Sequence, residues 1–387
     1  MIDAREELEN LNANQLAIID VLLKNGDLSK NQIAKKLNMK LTSLNNILYP
    51  MRSKGIVVES IHGESNGGRR PVLYSIPKNQ FFMIGIDISI MYTMIVLADI
   101  RMNIICKERF TMDESYTCEK TIETISKIIL RMESIYDNHN NKILGVGLGT
   151  VGPIIGERRL KENKDFFASG WKDKNLKQML QDKINKKIIW INGVNAAILL
   201  EYLYGSGKKH NNIGYFNCGF GIRAGAIASK KIIHSMNNEE ESFSKMIFSY
   251  NDITAKIGDY VTIKSINNNY IKQIGKSNLR YKNEIDLFKL ICKKAEDEDR
   301  IALHVIENAA EIMAIGIINF IILLNSDLII LSGPLIMNCP VFYDKCISFV
   351  KQNITTKKIE FTKMGKYKDY AISLGAANVV IEKIINK

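Results

Sequence analysis

The chain has 387 residues, 46% of them hydrophobic and 24% charged, an ordinary globular composition that excludes a disordered or fibrous protein. Its length suits two or three domains. A formal net charge of +12 fits an anionic partner such as nucleic acid or a membrane surface, although abundant lysine alone would raise the isoelectric point to about 9.2 unless the charge is localised.

The opening residues, MIDAREELEN, are acidic and lack the apolar stretch of a secretory signal, so a cytoplasmic protein is expected. Residues 15–25 follow with Leu16, Ile19, Leu22 and Leu23 at helical spacing, and Gly26 is a stop signal. Ser29 is a plausible N-cap for a second helix with Ile33, Ala34 and Leu37 inward. A short connection at Asn38 and Met39 leads to a third helix from about Lys40, with Leu44, Ile47 and Leu48 inward. Three short helices with a tight turn between the last two match a helix-turn-helix. The polar side of the third helix presents Lys40, Thr42, Ser43, Asn45 and Asn46, short donors and acceptors suited to base edges and phosphates. Pro50 interrupts this pattern: the helix either bends there or ends near Tyr49.

After Gly55, IVVES and VLYSI read as two strands around a turn-rich HGESNGGRRP segment, a β-hairpin wing. Gly67 and Gly68 allow the tip to lie close against a groove, where Arg69 and Arg70 reach phosphates or a narrow minor groove. Residues 11–80 hold ten Lys and Arg against four Asp and Glu, so half of the surplus charge sits in about a fifth of the chain. This localises the charge on a winged helix-turn-helix, with a double-stranded DNA operator as the expected partner.

From Phe81 the pattern becomes alternating strands and helices. FFMIGIDIS, YTMIVLADI and IICKERF read as a meander of strands, residues 121–135 as an amphipathic helix, and KILGVGLGTVGPII as a strand entering a Gly-rich turn. KIIWING and VNAAILLEYLYG are a further strand and helix; NIGYFNCG and IRAGAIA open a second set of strands. A long helix over residues 301–324 leads to DLIILSG. Its apolar run, residues 312–324, is shorter than the roughly 20 residues that span a bilayer and is read as a buried helix. Two β-rich halves with crossover helices predict a two-lobed α/β domain. The six cysteines include no CxxC pair, so no disulfide framework is expected and a reducing compartment fits.

The order helix-turn-helix, KGIV, GGRRP, FFMIGIDI resembles the repressors of the ROK family, which unites sugar-responsive repressors and sugar kinases. GVGLGTVGPI, NGVNAAILLE, NAAEIMAIGIINFIILLNSDLIILSG and ISLGAANVV extend that resemblance over nearly the whole chain. It implies an actin-like, ribonuclease-H-like ATPase fold with a cleft between lobes, divided as residues 1–78 for DNA binding, 79–193 for the first lobe and 194–387 for the second, the C-terminal helix packing back on the first. It also implies a homodimer or higher homo-oligomer, a recognition helix in the major groove and wing arginines in the minor groove.

The departures from the family are as informative. The Asp that acts as general base in the family's kinases is Gly193 here, which has no side-chain proton acceptor. The first phosphate loop reads GIDISIMYT, keeping Asp87 but neither loop glycine; the second, GFGIRAG, carries Arg223 in place of its third glycine. The family's zinc cysteines are missing, since no cysteine lies between Cys218 and Cys292, and Ser242 and Lys245 stand where the family's sugar-binding Glu and His belong. No metal, no cofactor and no kinase activity are therefore expected. The resemblance leaves Gly149, Asn192, Arg223, Ser242 and Lys245 as the effector-binding candidates. The cations Arg223 and Lys245 favour an anionic effector such as a sugar phosphate over a neutral sugar. Three functions stay open: a repressor of carbohydrate genes, a sugar kinase, and a DNA-binding scaffold that senses nothing. An open, polar cleft near Asn192 and Gly149 would favour sensing; a filled one would favour the scaffold.

Overall fold

Asn12 and Ser29 begin the first two helices with the same device. Asn12 Oδ1 accepts from the Gln15 N–H while Gln15 Oε1 accepts from the Asn12 N–H, and Ser29 and Gln32 repeat the reciprocal pair. These caps fix α1 (Ala13–Asn25) and α2 (Lys30–Leu37). Asn38, in the left-handed conformation at φ 50°, makes the tight turn into α3 (Leu41–Ser53). Helix α3 runs through Pro50 and does not stop at Tyr49; Lys54 N donates to the Pro50 carbonyl at 3.2 Å. A proline has no N–H for the Asn46 carbonyl, but the turn around it is held by the buried Leu48 and Met51. Strands β1 (Leu28–Ser29), β2 (Val58–Ser60) and β3 (Leu73–Ser75) complete this head as a three-stranded antiparallel sheet in the order β1-β3-β2, with β2 and β3 as the stem of the wing.

The structure, a computed structural model, describes residues 8, 10–60, 71–78, 80–137, 142–152, 154–155, 159–160, 166–234, 240–250, 253–275, 281–355 and 358–386. The wing tip with Arg69 and Arg70 lies outside the described residues.

The first lobe is a five-stranded sheet in the order β10-β7-β4-β5-β6. Strands β4 (Phe81–Ile88), β5 (Tyr92–Asp99) and β6 (Ile104–Thr111) form the expected antiparallel meander. After α4 (Cys118–Tyr136), β7 (Lys142–Thr150) pairs parallel to β4. A short hairpin of β8 (Ile154–Ile155) and β9 (Arg159–Leu160), then α5 (Leu176–Gln181), lead to β10 (Ile188–Asn192), parallel to β7. Helix α6 (Gly193–Tyr204) crosses to the second lobe.

The second sheet, β13-β12-β11-β16-β17, repeats that topology. Strands β11 (Ile213–Cys218), β12 (Ile222–Ala228) and β13 (Lys231–Ile233) are an antiparallel meander. A 3-10 turn (Glu240–Lys245), the hairpin β14 (Ile247–Tyr250) and β15 (Ile253–Lys256), and helices α7 (Gly258–Val261), α8 (Ile263–Ile274) and α9 (Glu284–Glu296) follow. Helix α10 (Arg300–Leu324) is long and apolar enough to cross a membrane by length and composition, but 56% of its apolar window is buried within the fold, as a core helix. Strands β16 (Leu328–Ser332) and β17 (Glu360–Lys363) add parallel to β11, with α11 (Pro334–Asn338) and α12 (Pro340–Asn353) between them.

The final helix, α13 (Ala371–Ile385), leaves the second lobe and packs on the sheet of the first and along α6. Glycine permits this closeness. A Cβ on Gly85 would fall 1.8 Å from the Ser373 carbonyl oxygen, and one on Gly147 would fall 1.8 Å from that of Ala376. Both α6 and α13 end at the DNA-binding head, where Tyr204 and Glu382 meet Asp20 and Lys24 of α1. Burial raises the Glu382 carboxyl above its ordinary range, and the Lys24 charge opposes this only in part. Arg101 ties the head to the first lobe, donating to Asp27 Oδ1 at 2.8 Å and to the Ile76 carbonyl at 3.1 Å.

Candidate nucleic-acid interface and interlobe cleft

Helix α3 has two faces. Leu44, Leu48 and Met51 are fully buried against α1 and α2, which fixes how the helix is rotated. Lys40, Thr42, Ser43, Asn45 and Asn46 are all exposed on the side away from that core, with the spacing the sequence predicts. Two further residues share that side: Leu41 is 45% exposed and Tyr49 is 74% exposed. Sequence reading passed over both because apolar and aromatic residues are usually assigned to a core; their spacing of four and eight residues along one row with Asn45 was the available signal. Arg52, by contrast, is turned back to Glu59 at 2.6 Å and onto the Tyr74 ring.

Between the lobes lies a cavity of about 40 Å³, lined by Asp87, Ser89, Tyr92, Thr150, Gly193 and Arg223 among others. Asp87 is buried and accepts from Ser89 Oγ at 2.8 Å. Burial pushes its carboxyl up to about 6, offset in part by the Ser89 and Tyr92 hydroxyls and the Arg223 and Arg109 charges. Arg223, also buried, lies 3.8 Å from Glu241 Oε1.

The five effector candidates do not converge on this cavity: only Arg223 is among its lining residues. Gly149 lies under α13, where its Cβ would meet Ile372 Cγ2 at 3.0 Å. Asn192 Oδ1 caps α6 by accepting from the Asn195 N–H at 3.2 Å. Ser242 and Lys245 are exposed on the 3-10 turn. A helix cap, a helix–sheet contact and a surface turn thus describe four of the five positions, with Arg223 alone at the cavity. A second interlobe cavity, about 130 Å³, is lined by Arg109, Lys289, Lys368 and Asp369 and by Tyr92 and Tyr215. Among the described residues no group of three or more His, Cys, Asp or Glu could hold a metal ion.

The chain matches the ROK family over residues 83–241 and 264–383. The chain belongs to the ROK family. Residues 11–58 match a winged helix-turn-helix DNA-binding domain. The xylose repressor of Caldicellulosiruptor bescii is 25% identical over 393 residues, and that of Bacillus subtilis 23% identical over 386, each covering 96% of both chains. A crystal structure of a ROK family transcriptional regulator, a homolog of the E. coli MLC protein, superposes with a TM-score of 0.75 at 14% identity, covering 96% of both chains. The ROK hexokinase of Thermus thermophilus superposes with a TM-score of 0.65 at 14% identity, covering 79% of this chain and all of its own.

This ROK protein is therefore a DNA-binding regulator: a winged helix-turn-helix on a two-lobed, sugar-kinase-like actin fold, as the sequence led us to expect. Within the ROK architecture, Gly193 begins α6 at the cleft, and a Cβ there would meet Ile372 Cγ2 at 3.2 Å. The space beside Gly193 is occupied by a side chain from the far end of the sequence.

Proposed function

We propose that this ROK protein is a cytoplasmic repressor of carbohydrate genes that binds an operator as a homodimer and catalyses no phosphoryl transfer. The observation that carries the reading is the exposed row of Thr42, Asn45 and Asn46, with Lys40 beside it, on a helix whose opposite face is locked into the head. Asn reads adenine edges in the major groove, and Lys40 supplies a phosphate contact. Arg69 and Arg70, on the wing, are assigned to the flanking groove.

The resemblance to xylose repressors makes xylose the first effector to try, and Arg223 keeps sugar phosphates as the second class. The cavity of about 40 Å³ holds only on the order of two or three waters. A larger one of about 750 Å³ shares Met91 and Phe220 with it, is lined by Thr111, Asp113, Phe167, Tyr281 and Asn283 among others, and has room for either ligand. Arg223 beside Glu241 and Asn192 engaged as a helix cap favour the alternative of a DNA-binding scaffold without a small-molecule ligand. The test is a selection of duplexes from a random library by the full-length protein. Affinity for the enriched duplex is then measured with and without xylose, glucose, N-acetylglucosamine and their phosphates. Release by one of them supports an effector-controlled repressor; tight binding unmoved by any supports the scaffold; ADP production with a hexose overturns both.

A further inference from the structure

Leu41, Asn45 and Tyr49 are four residues apart and lie one above another along a single row of α3. Asn45 is exposed between them. Leu41 and Tyr49 add nothing to the core, whose side of the helix is filled by Leu44, Leu48 and Met51. An exposed leucine at the first helical position and a three-quarters exposed tyrosine two turns on place apolar surface on the same outward row as Asn45. The surface that continues from them is polar and basic, with Lys40, Thr42, Ser43 and Asn46. A protein partner of matching apolarity is therefore a poor fit, and duplex DNA a good one.

We propose that Leu41 and Tyr49 are specificity-determining residues that pack on thymine 5-methyl groups in the major groove, on either side of the base pair read by Asn45. The inference rests on the DNA-binding reading given above. Leucine has neither donor nor acceptor, and the one apolar feature a base pair presents in the major groove is the thymine methyl. The Tyr49 ring offers the same kind of contact. Successive members of the row are ~6 Å apart along the helix axis, about two base steps of ~3.4 Å each. The two thymines are accordingly placed about four base pairs apart, flanking the Asn45 position.

The experiment uses the full-length protein and a half-site enriched from a random duplex library. Each thymine in turn is replaced by deoxyuridine, which removes the methyl and nothing else. Two positions about four base pairs apart should each lose ~3–5-fold in affinity, the value of one buried methyl. Leu41→Ala should abolish the loss at one position and Tyr49→Ala at the other, while Tyr49→Phe, which keeps the ring, should retain it. Both side chains are exposed, so the variants should melt with the parent; if one does not fold, the deoxyuridine series on the parent still decides. Tolerance of deoxyuridine at every position, or losses that persist unchanged in both alanine variants, would overturn the proposal. Selection that enriches no sequence would instead remove the DNA-binding reading, and this inference with it.

Discussion

Ile372 closes over Gly193. The first residue of α6 and the second of the C-terminal helix are 179 positions apart in the chain, yet a Cβ on the glycine would sit 3.2 Å from the isoleucine Cγ2. An aspartate at this position would have to displace that side chain or place its carboxylate against it. Gly193→Asp should therefore show no ADP production with hexoses and should lose about 1–3 kcal/mol of stability through overpacking. A coupled ATP assay and a denaturant melt check both; saturable turnover in the variant would mean that the cleft repacks around a restored base.

Asp87 sets a pH dependence of known sign. Its carboxyl sits at about 6 in the fold against 3.8 when unperturbed, so the folded protein favours the protonated form. The stability this contributes is complete below the lower value and is lost as pH rises through about 6; above that an ionised carboxylate stays buried at a cost of up to ~3 kcal/mol. Asp87→Asn should be more stable than the parent near neutral pH, with the gap narrowing by roughly 2 kcal/mol on going to about pH 4.5. Urea unfolding at the two pH values measures it, and a gap independent of pH would show that Asp87 is solvated.

Glu201 is fully buried at the end of α6, accepting from the Tyr367 N–H at 2.9 Å and the Ser206 N–H at 2.8 Å. It joins two chain turns, at Ser206 and at Tyr367. Glu201→Ala leaves both part-buried donors without this acceptor and should cost about 1–3 kcal/mol; Glu201→Gln keeps one acceptor and should cost roughly half. Equal losses in the two variants would assign the effect to packing.

The Arg101 bridge between head and first lobe is partly exposed, so Arg101→Ala should cost only about 0.5–1 kcal/mol overall. Its effect should be local. Amide exchange should quicken around Asp27 and Ile76 while the strands of the first lobe keep their protection. Uniform quickening would mean that head and lobe unfold as one unit.

On DNA, Asn45→Ala and Asn46→Ala should each lose about 1–3 kcal/mol on the selected operator and relax sequence preference. Lys40→Ala should weaken binding to all sequences alike and reduce the salt slope by about one. Fluorescence anisotropy over a salt series separates the two behaviours.

The DNA-binding head was legible in the sequence because its signals are local. The spacing of Leu44 and Leu48, the cap at Ser29 and the turn at Asn38 act between residues a few positions apart, where periodicity and capping decide the outcome. The two-lobed α/β domain was legible for the same reason. Tertiary structure decided the cleft. Ile372 over Gly193 and Gly149, Arg223 beside Glu241, and the outward placement of Ser242 and Lys245 depend on how segments far apart in the chain come together. Even Asn192, read as a sugar ligand, has its side-chain oxygen engaged as a helix cap. Local pattern specifies which face of an element is buried; it carries no record of which distant side chain will fill the space opposite, because close packing is settled only when the lobes meet.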